Sequence, residues 1–220
     1  MISVIIPTSN AAALLPRCFD GLIAGVIRGI VREVIVADGA SRDETRGIAD
    51  AAGAHVVNAG SSRGDQMSVG AASAKSDWLL FLHPETALEA GWENEAESFV
   101  QRVTLERPRA GVFRFALDDF ERSVRRREML IGLRSGLLGQ PCGAQGLLIP
   151  KRLYQKLGGH RAVQMEDIDL VRRIGRSRLV TLRSRAINKL EQSSSGARNI
   201  ALGVLHALHI PRSLVTFIGR

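Results

Sequence analysis

Four short stretches of this sequence carry side chains that could act on a phosphorylated ligand. Asp38-Gly39 follows an apolar β-branched run, and a carboxylate there could bind a ligand or serve only a turn. Gly60-Ser61-Ser62-Arg63-Gly64 leads into a run of small residues. An arginine beside the free amides of a helix start suits a phosphate, although an Arg-Gly loop is often just a solvated turn. His83-Pro84-Glu85 closes another apolar run, offering an imidazole and a carboxylate two residues apart. Glu166-Asp167-Ile168-Asp169 opens a helical pattern, where acids also complement the helix dipole without any ligand. Asp169 should turn about 200° away from Asp167 on such a helix, and Glu166 about 100°.

These residues need elements to hold them. Hydrophobic period and punctuation predict strands over residues 3–7, 33–37, 55–58 and 78–82. Helices are expected between 12 and 28, entered at Pro16, from Asp43 to Gly53, and from the 60–64 loop to Ala74. Strands alternating with helices make βαβ units and an open, mostly parallel α/β sheet. Right-handed crossovers then bring Asp38, Arg63 and His83 to one edge, beyond the carboxyl ends of the strands, where such sheets bind ligands. Past residue 90 the alternation loosens: helix 92–104, strand 111–117, a basic helical segment 121–138, strand 146–150, helix 151–157, helix 167–174, and an amphipathic tail 197–209.

The string Val4-Ile5-Ile6-Pro7-Thr8-Ser9-Asn10, followed by Val34-Ile35-Val36-Ala37-Asp38-Gly39-Ala40-Ser41-Arg42-Asp43, resembles the nucleotide-binding half of family 2 glycosyltransferases. Gly60–Gly64, His83-Pro84-Glu85, Gly143-Ala144-Gln145-Gly146, Leu157-Gly158-Gly159 and Glu166-Asp167 follow in the family's order. The resemblance covers about residues 2–175. It implies a GT-A, Rossmann-like domain over 1–192, with a nucleotide-binding half at 1–86, an acceptor-side half at 87–192 and a helical tail at 193–220. It also implies transfer of a sugar from a nucleotide-diphosphate sugar to an acceptor hydroxyl. Pro7, Thr8, Asn10, Asp38, Arg63, Gly64 and His83 would bind the donor, with Gln145 and Glu166 supporting the acceptor side. Glu85 stands where the family has the acid that holds Mg²⁺ or Mn²⁺ against the diphosphate. Asp167 takes the place of the base in inverting members. The His-x-Glu pair looks closest to a branch with His-x-Asp in place of Asp-x-Asp.

Three positions depart from the family pattern: Ala11 replaces Glu, Ala144 replaces Asp, and Glu85 replaces Asp. A nucleotide-sugar-binding homologue with impaired catalysis is therefore the alternative. A nucleotidyltransferase is the weaker one, since no Gly-rich basic loop follows the first strand.

Bulk properties narrow the partners. A formal net charge of +8 favours anionic ligands and surfaces. Aromatics make up only 5%, leaving few stacking platforms for bases, so no nucleic-acid partner is expected. Many acceptors of the family are lipid-linked, and the arginine-rich stretches Arg122–Arg127 and Arg172–Arg178 could meet anionic lipid or simply form solvated helix faces. The first residues enter a strand without a basic leader, which points to a cytoplasmic protein at most peripherally attached to membrane. Cys18 and Cys142 suggest no disulfide framework and read as small buried residues.

Overall fold

The computed structural model describes residues 1–104, 106–118 and 145–189. The anticipated basic segment 121–138, Cys142, Ala144 and the tail 197–209 lie outside the described residues. Met1–Lys189 make one compact unit built on an eight-stranded sheet of order β3-β2-β1-β4-β7-β6-β8-β5.

β1 (Ile2–Thr8) is buried along its whole length and pairs in parallel with β2 (Val31–Asp38) and β4 (Trp78–Phe81). β2 also pairs in parallel with β3 (His55–Asn58). A β-branched run without charges is what a strand covered on both faces requires. Ile2, Val4 and Ile6 of β1 enter one core cluster and Ile5 the other, the period-2 alternation of a strand. The first cluster is closed by α1 (Leu15–Asp20) and α5 (Trp92–Arg102), with α2 (Ile23–Ile27) setting Gly25 against Trp92. The second is closed by α4 (Arg63–Ser73), α6 (Lys151–Lys156) and α7 (Glu166–Ile174). α3 (Thr45–Ala51) connects β2 to β3.

The other half of the sheet is mixed. β7 (Leu147–Pro150) runs antiparallel to β4 and to β6 (Ala110–Leu117). β6 is parallel to β8 (Leu179–Asn188), whose other edge takes β5 (Thr86–Leu88) antiparallel. This is an open, mixed α/β sheet flanked by helices.

The single helix expected over 12–28 is two short ones. A β-carbon at Gly21 would stand 2.7 Å from the Leu88 amide nitrogen, so the chain passes against β5 there. The Gly21 carbonyl also accepts the indole N–H of the fully buried Trp92 at 2.8 Å. Both contacts bend the path between Asp20 and Ile23. Pro16 lies in the first turn of α1 as expected.

β1, β2 and β4 end on one edge, and the antiparallel β7 begins there, Phe81 facing Leu147. At that edge His83 and Glu85 meet Asp167, and Arg63 meets Glu166.

Candidate functional site

The loops after β1 and β2 are stitched to each other. Asp38 is 1% exposed, and its carboxylate accepts the Thr8 hydroxyl at 3.1 Å and the Ser41 amide at 3.0 Å. The Ser41 hydroxyl donates to it as well, and Arg46 stands 3.8 Å away. Asn10 takes a left-handed backbone (φ 53°) and its side-chain oxygen accepts the Arg42 amide at 2.8 Å. Asp38 was expected at the nucleoside, and Pro7, Thr8 and Asn10 beside it. Asp38 accepts three hydrogen bonds inside the protein, two on Oδ1 and one on Oδ2, and so holds the two loops together. Asp43 ties in a similar way: it accepts the Ala12 and Thr45 amides, each at 3.1 Å.

α4 begins at Arg63, its N-cap Ser62 accepting the Asp65 amide at 3.1 Å. Gly64 is required by packing: a β-carbon there would lie 2.0 Å from the Arg161 carbonyl oxygen. This close approach sets the free amides of α4 beside the segment that enters α7. Arg63 reaches across the seam to Glu166, 3.8 Å away, leaving half its side chain in solvent.

β4 delivers His83 and Glu85. His83 is buried, its Nδ1 3.3 Å from Glu85 and its Nε2 3.3 Å from Asp167. His160, also buried, sets its Nε2 3.3 Å from the other oxygen of Asp167. Glu85, His83, Asp167 and His160 thus form a chain of neighbours, with Asp167 between two imidazoles. Each Nε2 stands close to an Asp167 oxygen without the full alignment of a hydrogen bond.

The electrostatics follow. Burial disfavours a charge on His83, but Asp167 and Glu85 outweigh it and raise its pKa to about 9. Burial pushes Glu85 up, and its imidazole neighbour pulls it down to about 2. Asp167 would likewise rise by burial, yet the two imidazoles hold it well below the usual carboxylate range. At neutral pH the site presents two ionised carboxylates bridged by an imidazolium.

Could the site hold a divalent cation? Among the described residues no three His, Cys, Asp or Glu converge as a cage. Glu85 nevertheless offers an ionised oxygen donor with 28% of its side chain exposed. Mg²⁺ and similar hard ions are commonly held by one or two carboxylates with the rest of the shell from phosphates and water. The residues fit a cation whose shell a diphosphate completes.

Gln145 is buried, and its amide donates to the Phe113 carbonyl at 3.0 Å, tying the start of β7 to β6. Cys18 is buried as expected, with burial and then Glu85 raising its thiol to about 12. The stretch Arg172–Arg178 is not uniformly a solvated face. Arg173 donates to Asp169 and to the carbonyls of Leu157 and Gly159, the last at 2.7 Å.

Fold and site together define a GT-A protein with an acidic, histidine-bridged edge. Residues 3–92 match the family described as Glycosyl transferase family 2. A PGL/p-HBAD biosynthesis glycosyltransferase of Mycobacterium bovis (strain BCG / Pasteur 1173P2) is 35% identical over 95 residues, 40% of this chain and 36% of that protein. The same holds for its counterpart in Mycobacterium tuberculosis (strain ATCC 25177 / H37Ra). The match thus spans about a third of those relatives' length.

Glucosyl-3-phosphoglycerate synthase from Mycobacterium tuberculosis, solved with Mn²⁺, uridine diphosphate and glucosyl-3-phosphoglycerate, superposes with a TM-score of 0.66 at 18% identity. It aligns with 97% of this chain and 81% of its own. Mannosyl-3-phosphoglycerate synthase from Rubrobacter xylanophilus gives 0.67 at 18% identity, over 95% and 72% of the two chains.

His160, Tyr154 and Arg173 escaped the sequence reading of the site. The one signal was a histidine directly after Gly158-Gly159, seven residues before Asp167.

Proposed function

We propose that this chain transfers a glycosyl group, with inversion, from a nucleotide-diphosphate sugar to an acceptor hydroxyl. The observation that carries this is the convergence of Asp167, His83 and Glu85 at the end of β4, beside the amino end of α4. The donor's diphosphate would lie toward Arg63 and the α4 amides, with Pro7, Thr8, Asn10 and Gly64 around the nucleotide. Asp38 would keep those loops in register, and Gln145 and Glu166 would support the acceptor side. Glu85 would hold Mg²⁺ or Mn²⁺, which supplies a counter-charge to the departing diphosphate. The similar solved structure bound to Mn²⁺ and uridine diphosphate supports that choice of ligand class.

As the acceptor oxygen bonds to the anomeric carbon, the bond from that carbon to the diphosphate oxygen breaks, and its electron pair leaves with the nucleotide. The acceptor proton passes to Asp167. A carboxylate with depressed pKa is a weak base, but a hydroxyl bonding to an electron-poor carbon becomes strongly acidic, so the proton moves late. Asp167→Asn keeps size and removes basicity. Nucleotide-sugar affinity should stay near wild type while turnover falls about 10²–10⁴-fold. An Asn variant with more than about a tenth of wild-type turnover would defeat the base assignment.

The low basicity of Asp167, with Ala11 and Glu85 off the family pattern, also favours a second reading: a nucleotide-sugar-binding homologue without efficient catalysis. Donors that bind but are neither transferred nor hydrolysed would establish it. A peripheral contact with anionic membrane would be served by Arg107, Arg109, Lys156 and Arg178. They line a cavity of about 430 Å³ away from the donor edge.

A further inference from the structure

We propose that His160 is a positioning residue that holds the Asp167 carboxylate, and that Tyr154 fixes the ring state in which it does so. The inference rests on the reading of Asp167 as the base.

The environment of His160 is built in detail. Gly158 and Gly159 both have left-handed backbones (φ 77° and 61°), turning the chain from the end of α6 so that residue 160 points inward. Arg173, on the same helix as Asp167, donates to the carbonyls of Leu157 and Gly159 and clamps that turn. The helix that carries the carboxylate therefore also fixes the loop that presents the imidazole. The ring stands edge-on to Phe81, the last residue of β4, with centroids 4.7 Å apart.

Hydrogen bonding assigns the tautomer. The Tyr154 hydroxyl oxygen accepts the His160 backbone N–H at 2.9 Å and lies 3.1 Å from His160 Nδ1. Among the described residues the hydroxyl proton has no other acceptor than Nδ1. With Nδ1 accepting, the ring proton sits on Nε2 and faces Asp167 at 3.3 Å. Tyr154, His160 and Asp167 form a buried relay in which each member orients the next. On its other side Asp167 meets His83, which belongs to the donor edge. Among the described residues the polar contact of His160 toward that edge runs through Asp167, while Phe81 meets only its ring, so replacing the imidazole by another aromatic ring should act on turnover and spare donor affinity.

Long-range proton–nitrogen spectra of the full chain read the ring without any ligand. His160 should appear as the Nε2–H tautomer, and Tyr154→Phe should mix in the other one. A wild-type ring found as Nδ1–H overturns the relay.

The role is then tested by hydrolysis of UDP-glucose and GDP-mannose with Mn²⁺. His160→Phe keeps an aromatic ring on Phe81 and deletes the donor. Its kcat should fall about 10–100-fold with KM and melting temperature near wild type. His160→Gln restores an N–H near the Nε2 position and should recover most of the loss. In the Asp167→Asn background His160→Phe should cost nothing further.

If Asp167→Asn cripples turnover and His160→Phe does not, the positioning role is wrong and the base stands. If Asp167→Asn is as active as wild type, or wild type hydrolyses neither sugar nucleotide although one binds, the base reading fails and takes the positioning role with it. Should His160→Phe not fold, Tyr154→Phe carries the comparison: its kcat should fall with KM near wild type, and an unchanged kcat overturns the relay.

Discussion

A buried carboxylate can serve a ligand or a fold, and its hydrogen-bond partners decide which. Asp38 shares its oxygens among Thr8, Ser41 and Arg46. Asp38→Ala should leave the buried Thr8 hydroxyl and the Ser41 amide without their acceptor, lowering stability by about 1–3 kcal/mol in urea titrations. An unchanged unfolding midpoint would return Asp38 to a purely ligand-facing role. Glu85 is the opposite case: ionised, partly exposed, and tied on one side only to His83. Glu85→Gln should abolish any strengthening of nucleotide-sugar binding by Mn²⁺, whereas Glu85→Asp should tighten it. Calorimetry with and without Mn²⁺ separates the two, and a Gln variant with a full metal effect would strip Glu85 of the ligand role. The sequence exposed these acids because each sits directly past an apolar run. It could not reveal the internal bonds of Asp38, since Thr8 finds it only once β1 and β2 are paired.

At the scale of elements, α4 and the loop that leads into α7 make the site by touching at a glycine. Gly64→Ala would press a methyl into the Arg161 carbonyl, 2.0 Å from where its carbon must stand. Backbone cannot yield as a side-chain tip does, so the seam should open at a cost of about 1–3 kcal/mol. The variant should melt lower and bind nucleotide sugar more weakly, and a melting curve equal to wild type would contradict the packing. A second tie holds α5 to β8: Glu95 accepts the Arg183 and Ser184 amides, each at 2.7 Å. Glu95→Ala should cost about 1–2 kcal/mol without touching ligand affinity. The first four strands were legible because runs such as Ile2–Thr8 are apolar and buried end to end. β5 was not, having three residues, and β8 was not, because Arg183, Ser184 and Arg185 break its apolar pattern. Glu89 pairs with the Arg185 guanidinium and Glu95 accepts the Arg183 and Ser184 amides, partners 88 to 96 residues away that no local pattern contains.

For the whole molecule, the register of the strands fixes two ends with opposite character. Thr8, Asp38 and Phe81 end their strands at the donor edge, while Trp78 at the start of β4 faces Pro150, and Ala110 pairs with Leu179. Residues just before β6, just after β7 and just before β8 therefore lie at the far edge, and Arg107, Arg109, Lys156 and Arg178 gather there around one cavity. Glu106 is the one acid lining it, so the net charge of the lining is positive. No described helix is long and apolar enough to cross a membrane. Each basic side chain near an anionic surface contributes about 1 kcal/mol. Replacing Arg107, Arg109 and Arg178 by Ala should thus weaken binding to phosphatidylglycerol vesicles about a hundredfold while leaving nucleotide-sugar affinity unchanged. The attraction should also fade as salt shortens the screening length from about 10 Å at 0.1 M to about 3 Å at 1 M. Sedimentation with neutral and anionic vesicles tests both effects. Binding that ignores lipid charge, or a triple variant that binds as wild type does, would remove the far edge as the membrane-facing side.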